Sequence, residues 1–177
     1  MSLIFNGISR TLAAPFFGDT DVMKLDKFDR EILRVLQRDA TVSMAELSQQ
    51  VGLSHTPCWR RVKRLEKEGI IRGKVTLLDG KKLNLGVSVF IYITLKNHDE
   101  ASLNSFEASV QDIPEVVECH TTSGDKDYLL KVVVESIEEY EHLLKSRFTH
   151  LPSVDHLSST FALKQVKNTT ELPIKNQ

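Results

Sequence analysis

The 177-residue sequence contains only two cysteines, and no CxxC pair or cysteine framework is present. Cys58 and Cys119 lie 61 positions apart, the first in a helical pattern and the second in a strand-like one. Small secreted folds held together by disulfides need more cysteines at closer spacing, so that class is disfavoured. We therefore expect two free thiols in a reducing, cytoplasmic setting.

Long apolar runs are also missing. No stretch approaches the roughly 20 residues that a membrane-spanning helix needs, so we expect no membrane partner. Residues 12–17 are mildly apolar, but Arg10 is the only charge before them and Pro15 interrupts them, which argues against a secretory signal. Residues 1–23 show no helical or strand period. We expect them to form a disordered N-terminal extension, with Met23 as a candidate natural start.

The sequence lacks the patterns that carry catalysis. We find no Ser/His/Asp set, no phosphate-binding loop and no carboxylate pair in a helical context. The scattered histidines do not have the spacing of metal ligands; they are His98, His142, His150 and His156. We therefore predict that the protein is not an enzyme and holds no cofactor and no metal.

Residues 43–51 have the pattern of a short capped helix. Ser43 and Glu46 form a capping box, in which each side chain takes a backbone amide that the helix leaves unpaired. Gly52 follows, where a tight turn favours a residue without a Cβ. Ser54 is then a candidate N-cap for a second helix.

This second helix has an apolar face and a basic face. Cys58, Val62 and Leu65 recur at i, i+4 and i+7. Residues 55–74 hold seven Lys or Arg and two Glu, a net charge of +5 on a chain whose total is −1. Taken alone, such charge fits a DNA-facing surface and an ordinary solvated helix face equally well. Combined with the glycine turn and the caps, it predicts a DNA-binding helix-turn-helix.

The side chains that we expect to contact double-stranded DNA lie on this second helix or just before it. We assign the arginines to base edges and phosphates. The first residues of the helix are expected to approach base edges or a phosphate at the helix N-terminus. Trp59 is predicted to pack on the helix flank and Cys58 in the core. The expected contacts are Ser54, His55, Thr56, Arg60, Arg61, Lys63 and Arg64.

A further helix and a linker flank this unit. Apolar residues recur at spacings of three and four over residues 27–38, which predicts a helix with Asp26 as the candidate cap. This helix completes a winged-helix-like domain of three helices over residues 24–72. A strand pattern over residues 70–78 is followed by the turn dipeptide Asp79-Gly80 and a returning segment. We therefore predict a strand hairpin linker over residues 73–86.

The remaining chain, residues 87–177, has the order of a ferredoxin-like βαββαβ domain, so that the fold class is α+β. One face of its antiparallel sheet would be covered by helices. The other face, which carries Phe90 and Tyr92, is a candidate association surface. The predicted elements are strands at 87–96, 116–122, 128–135 and 154–166 and helices at 101–112 and 137–147.

Three segments resemble the Lrp/AsnC family of leucine-responsive, or feast/famine, regulators. Residues 25–33 (LDKFDREIL) resemble the family's opening helix, and residues 51–71 resemble its DNA-reading unit. Residues 123–129 (SGDKDYL) resemble the turn that the family associates with effector response. The resemblance covers roughly residues 24–175 and leaves residues 1–23 outside.

The resemblance implies a cytoplasmic transcription factor whose homodimers assemble further, often into octamers. It also implies that a small-molecule effector, an amino acid, modulates DNA binding. The effector would bind at the turn and its surroundings, at Thr122, Ser123, Gly124, Asp125, Asp127 and Tyr128. An Asp could accept from the ammonium group and turn amides could hold the carboxylate, although the same residues also fit a plain hairpin turn.

An alternative interpretation belongs to another class of protein. The chain could be a metabolite-binding sensor or an enzyme whose helix-turn-helix mediates only protein contacts. The two interpretations differ in one measurable property, since a protein that binds DNA phosphates loses affinity steeply as salt rises.

Overall fold

The computed structural model describes residues 24–175, which form two compact units. The first unit comprises the described residues up to Lys74 together with those from Thr170 onward, and the second is Val75–Thr169. The extension predicted for residues 1–23 lies outside the described residues.

The first unit contains the three predicted helices, α1 (Lys27–Arg38), α2 (Met44–Gln50) and α3 (His55–Lys67). Seven buried side chains from all three helices and the turn form its core: Ile32, Leu33, Leu47, Val51, Cys58, Val62 and Leu65. The prediction of a three-helix unit is confirmed. No helix in the described part of the chain is both long enough and apolar enough to pass through a bilayer.

The caps of these helices follow the predictions with one exception. Asp26 and Asp29 form a capping box at the start of α1, and Ser43 and Glu46 form another at the start of α2. Ser54 occupies the N-cap position of α3 as predicted, but its side chain makes no capping hydrogen bond. The Ser54 hydroxyl is therefore available to a partner outside the helix.

A short segment from the end of the described chain, residues 170–175, packs on α1, and we call it the C-terminal strap. Gln37 exchanges two hydrogen bonds with the backbone of Leu172, and Arg38 forms an ion pair with Glu171 at 3.0 Å. Ile174 packs against the core of the first unit. The sequence prediction placed these residues in the second domain because a segment this short has no period that reveals its packing partner.

The predicted hairpin over residues 73–86 is absent. The segment has no strand in the structure, and Val75, Leu77 and Leu78 are all largely exposed. The predicted turn residue Asp79 instead caps a short 3₁₀-helix, Gly80–Leu83, by accepting hydrogen bonds from the amides of Lys81 and Lys82. β-Branched composition misled the prediction, because a strand also needs a neighbour to pair with.

The second unit is the predicted βαββαβ domain. Its sheet has the order β2-β3-β1-β4 and all three pairings are antiparallel. The fourth strand ends five residues earlier than predicted. The elements are β1 (Val87–Leu95), α4 (Glu100–Gln111), β2 (Val116–Thr121), β3 (Tyr128–Val134), α5 (Ile137–Ser146) and β4 (Val154–Phe161).

Both helices of this unit cover the same face of the sheet. Alternate residues of β1 and β3 are buried there with Phe106 of α4 and Tyr140 of α5. The other face carries Phe90, beside Lys131 and Thr160, and Tyr92, whose relative exposure is 37%. The period-two pattern of β1 predicted this division of faces correctly.

The strap leads to a prediction about stability. Replacing Ile174 with Ser should lower the free energy of unfolding of the first unit by about 1 kcal/mol, because a half-buried apolar side chain is lost from its core. Denaturant titration followed by the fluorescence of Trp59, the single tryptophan of the chain, measures the first unit directly. Leu163→Ser is the control, since Leu163 is 100% exposed. Equal unfolding curves for the two variants would contradict a structural role for the strap.

Candidate nucleic-acid interface and effector turn

The exposed face of α3, which carries Thr56, Arg60 and Lys63, lies opposite its buried face. Cys58, Val62 and Leu65 are buried against α1 and α2. At 3.6 residues per turn, Thr56 and Arg60 then point away from the core, and both are exposed. No ion pair within residues 24–175 involves Arg60. Its five donors are therefore free for an external partner.

Two of the predicted DNA-binding arginines form ion pairs that hold α3 against α1. Arg61 Nη1 lies 2.5 Å from Asp26 Oδ2 and 2.9 Å from Asp29 Oδ1, and Arg64 Nη2 lies 2.5 Å from Asp29 Oδ2. We call these four residues the Asp29 clamp. The sequence interpretation placed Arg61 on the outward basic face. On the helix it lies beside the buried line, where the first turn of α1 supplies two carboxylates.

Burial makes this clamp a structural requirement. The Asp29 side chain is only 1% exposed, and a buried carboxylate is costly unless it is paired and hydrogen-bonded. Besides the two guanidinium groups, the backbone amide of Asp26 donates to it. At Asp26 itself, burial opposes the charge, but hydrogen bonds from the Asp29 amide and from Arg61 outweigh it and lower the pKa.

The other predicted DNA contacts are distributed around the exposed face. Ser54 and His55 are exposed at the start of α3. Lys63 is exposed and pairs with Glu66 at 2.7 Å, a surface ion pair of the kind that contributes little energy. Arg64 belongs to the clamp, yet its side chain remains 44% exposed.

Trp59 is a feature that the sequence interpretation missed. It was assigned to packing on the helix flank, but the structure leaves it 46% exposed. The helical period contained the signal, because position 59 lies about 100° from the buried line through Cys58. The residue type outweighed that signal, since tryptophan is usually well buried.

The predicted effector turn is closed by backbone hydrogen bonds at its base. The Thr122 amide donates to the Asp127 carbonyl at 2.9 Å, and the Asp127 amide donates to the Ile93 carbonyl at the same distance. Gly124 has φ = 133°, a conformation that residues with a Cβ rarely adopt. Thr122, Ser123, Gly124 and Asp125 are exposed around this turn.

The two other predicted effector residues are bound within the domain. The Asp127 carboxylate accepts from the Leu95 amide at 2.7 Å and lies 2.9 Å from His98 Nε2. Tyr128 is 2% exposed and donates its hydroxyl to Glu107 at 2.8 Å, and burial together with this bond raises its pKa. In the structure, Tyr128 is a core residue and Asp127 fixes the turn to β1.

The turn nevertheless keeps unused donors. Within the described chain, no hydrogen bond is formed by the backbone amides of residues 123–126. The carboxylate of Asp125 is also accessible, with only Lys126 nearby at 3.5 Å. Consecutive free amides next to an exposed carboxylate are groups that complement an anion and an ammonium ion, respectively.

Comparison with protein families finds a separate match for most of each unit. A family model described as the Lrp/AsnC ligand binding domain matches residues 88–172. A second, described as winged helix-turn-helix DNA-binding, matches residues 25–72. The two matches leave only residues 73–87 between them, which contain the linker.

Individual proteins agree with these families. The glutamate uptake regulatory protein of Zymomonas mobilis is 44% identical over 153 residues, which cover 86% of this chain and 93% of that protein. The crystal structure of an AsnC family transcriptional regulator from Agrobacterium tumefaciens has a TM-score of 0.81 and 46% identity, covering 84% of this chain and 97% of that one. The complex of a transcriptional regulator from Neisseria meningitidis with L-Met has a TM-score of 0.81 and 37% identity, covering 85% and 97%. This chain therefore belongs to the Lrp/AsnC family of DNA-binding transcriptional regulators, which carry a ligand-binding domain and are not enzymes.

Proposed function

We propose that the protein is a cytoplasmic, sequence-specific regulator that binds double-stranded DNA through the exposed face of α3. The observation that supports this most directly is the row of exposed polar and basic residues, including Thr56, Arg60 and Lys63, opposite the buried line of the helix. Recognition helices of this type place their N-terminal residues against base edges in the major groove. His55 and Ser54 extend the same surface at the start of α3.

Within this surface the arginines have different roles. Arg60 has no intramolecular ion pair in the described chain and is assigned to a base edge or a phosphate. Arg61 fixes the orientation of α3 through Asp26 and Asp29. Arg64 has both roles, because one of its nitrogens binds Asp29 while the side chain remains partly exposed to a phosphate.

The effector is proposed to be an amino acid that binds at the turn between β2 and β3. The free amides of residues 123–126 would hold its carboxylate, and Asp125 would accept from its ammonium group. The Neisseria meningitidis relative was solved with L-Met, an amino acid with these two groups. Asp127 and Tyr128 would support the turn without contacting the ligand in this conformation.

A homodimer is proposed to form through the open face of the sheet, with further assembly such as an octamer. Phe90 and Tyr92 are only partly covered by their own chain. Pairing two copies about a two-fold axis would bury both sets of side chains. It would also supply two recognition helices for a palindromic site.

We predict that replacing two adjacent arginines of α3 has different effects, one on DNA binding and the other on stability. Arg60→Ala should weaken DNA binding by about 1–3 kcal/mol if Arg60 contacts a base, or reduce the salt dependence if it contacts a phosphate, with unchanged stability. Arg61→Ala should lower the free energy of unfolding by about 2 kcal/mol, less than the loss of a fully buried pair because Arg64 still neutralises Asp29.

Fluorescence anisotropy with a labelled duplex at two salt concentrations, together with thermal denaturation, measures both effects. If Arg61→Ala left stability unchanged while reducing the salt dependence, Arg61 would be a DNA contact after all. If the affinity of the unchanged protein for DNA did not depend on salt, the alternative would be favoured, in which the helix-turn-helix contacts only proteins.

A second prediction concerns the effector turn. Gly124→Ala should reduce the rise in melting temperature that an amino-acid ligand causes, because a Cβ strains the backbone at φ = 133° and displaces the free amides. A thermal-shift screen of the amino acids on the unchanged protein identifies the ligand first. Gly86→Ala is the matched control, since a Cβ there meets no neighbour within 4 Å. An undiminished shift for Gly124→Ala would place the ligand elsewhere.

A third prediction concerns assembly. Phe90→Asp should shift the full chain toward the monomer in light scattering at micromolar concentration, because it places a charge at the centre of the proposed interface. Ile137→Asp serves as the control. Ile137 is also exposed, but α5 packs on the opposite face of the sheet. If both variants kept the assembly of the unchanged chain, the open face would not be the dimer contact.

A further inference from the structure

Trp59 lies on the exposed side of α3, next to Arg60. Residues four apart on a helix are surface neighbours, so His55, Trp59 and Lys63 form one continuous row. The parallel row is formed by Thr56, Arg60 and Arg64. Trp59 is therefore the large apolar member in the middle of its row, on the flank of an otherwise polar surface.

Packing within the domain does not account for this position. Trp59 does not belong to the buried core of the first unit or to the partly buried side chains that pack on it. Within residues 24–175 its ring makes no aromatic contact and its indole N–H no hydrogen bond. An exposed fraction of 46% leaves a broad indole surface accessible. Tryptophan is enriched at interfaces, because its ring offers a large apolar contact area and its N–H a polar group.

The chemistry of the major groove offers an apolar partner. The only apolar group that base edges present there is the 5-methyl of thymine, and apolar side chains contact it in specific complexes. Trp59 is the fifth residue of α3, within the N-terminal part that contacts base edges in helix-turn-helix complexes. Its neighbours Arg60 and Lys63 supply the cationic groups that phosphates and guanine require.

We propose that Trp59 is a specificity-determining residue, whose indole packs against a thymine methyl group in the operator. The inference rests on the proposed function, in which α3 faces the major groove. An uncharged side chain releases no counterions, so Trp59 contributes to sequence preference and not to salt dependence. In this it differs from Arg60 and from the other basic residues of the surface.

The experiment uses the full chain and a duplex that this chain has selected from a random-sequence library. Each thymine of the duplex is replaced in turn by uracil, which removes only the 5-methyl group. Binding of the unchanged protein should weaken about fourfold at one thymine of each half-site, the factor expected for one buried methyl group. The same replacement should have no effect on Trp59→Ala. The salt dependence of Trp59→Ala should equal that of the unchanged protein.

Four measurements decide between the outcomes. Thermal denaturation of Trp59→Ala checks that the variant is folded, and Trp59→Leu repeats the test with a larger side chain. Trp59 fluorescence of the unchanged chain gives a readout that needs no variant, because the selected duplex should protect it from acrylamide more than a scrambled duplex does. Arg60→Ala tests whether α3 faces the DNA at all.

The two ways of failing are distinguishable. If Arg60→Ala and Trp59→Ala both bound like the unchanged protein, α3 would not be the interface, and the inference would fall with the proposed function. If Arg60→Ala weakened binding but uracil affected the unchanged protein and Trp59→Ala equally, Trp59 would not contact a thymine methyl. Equal protection of Trp59 by the selected and scrambled duplexes would also overturn the inference.

Discussion

The buried carboxylate of Asp29 determines how the recognition helix is presented. A charge that is 1% exposed requires partners on every side, and the first turn of α1 together with two arginines of α3 provides them. The same carboxylate closes the capping box of α1. One side chain thus fixes both the start of the first helix and the rotation of the third about its axis. The position of every exposed residue of α3 depends on that rotation.

The sequence predicted the elements of both units well but not the partners of individual charges. Helical and strand periods located α1 at its observed bounds, α2 to within one residue at each end, the start of α3 and the alternation of β1, because burial of apolar side chains follows those periods. Arg61 and Arg60 are identical in type and adjacent in sequence. Only the position of Asp26 and Asp29 in space separates a residue that fixes α3 from one that is free to bind DNA.

The same limit applies to the effector turn and the linker. The residues around Gly124 indicated a turn, and the positive φ explains why glycine stands there. That Tyr128 is a core residue depends on its contacts with Phe106 and Glu107 of α4, which no local pattern shows. The linker after Lys74 has strand-like composition, but pairing is a property of two segments, and no segment of the described chain pairs with it.

The C-terminal strap has a consequence for how the protein is made. Domains generally fold as units, the N-terminal ones first, while the chain is being synthesised. Here α1 is covered in part by residues 170–175, which are translated only after the whole of the second unit. A nascent chain therefore cannot complete its DNA-binding unit before its ligand-binding domain exists. A chain that ends before residue 170 lacks the hydrogen bonds and the apolar contact that this segment supplies to the first unit.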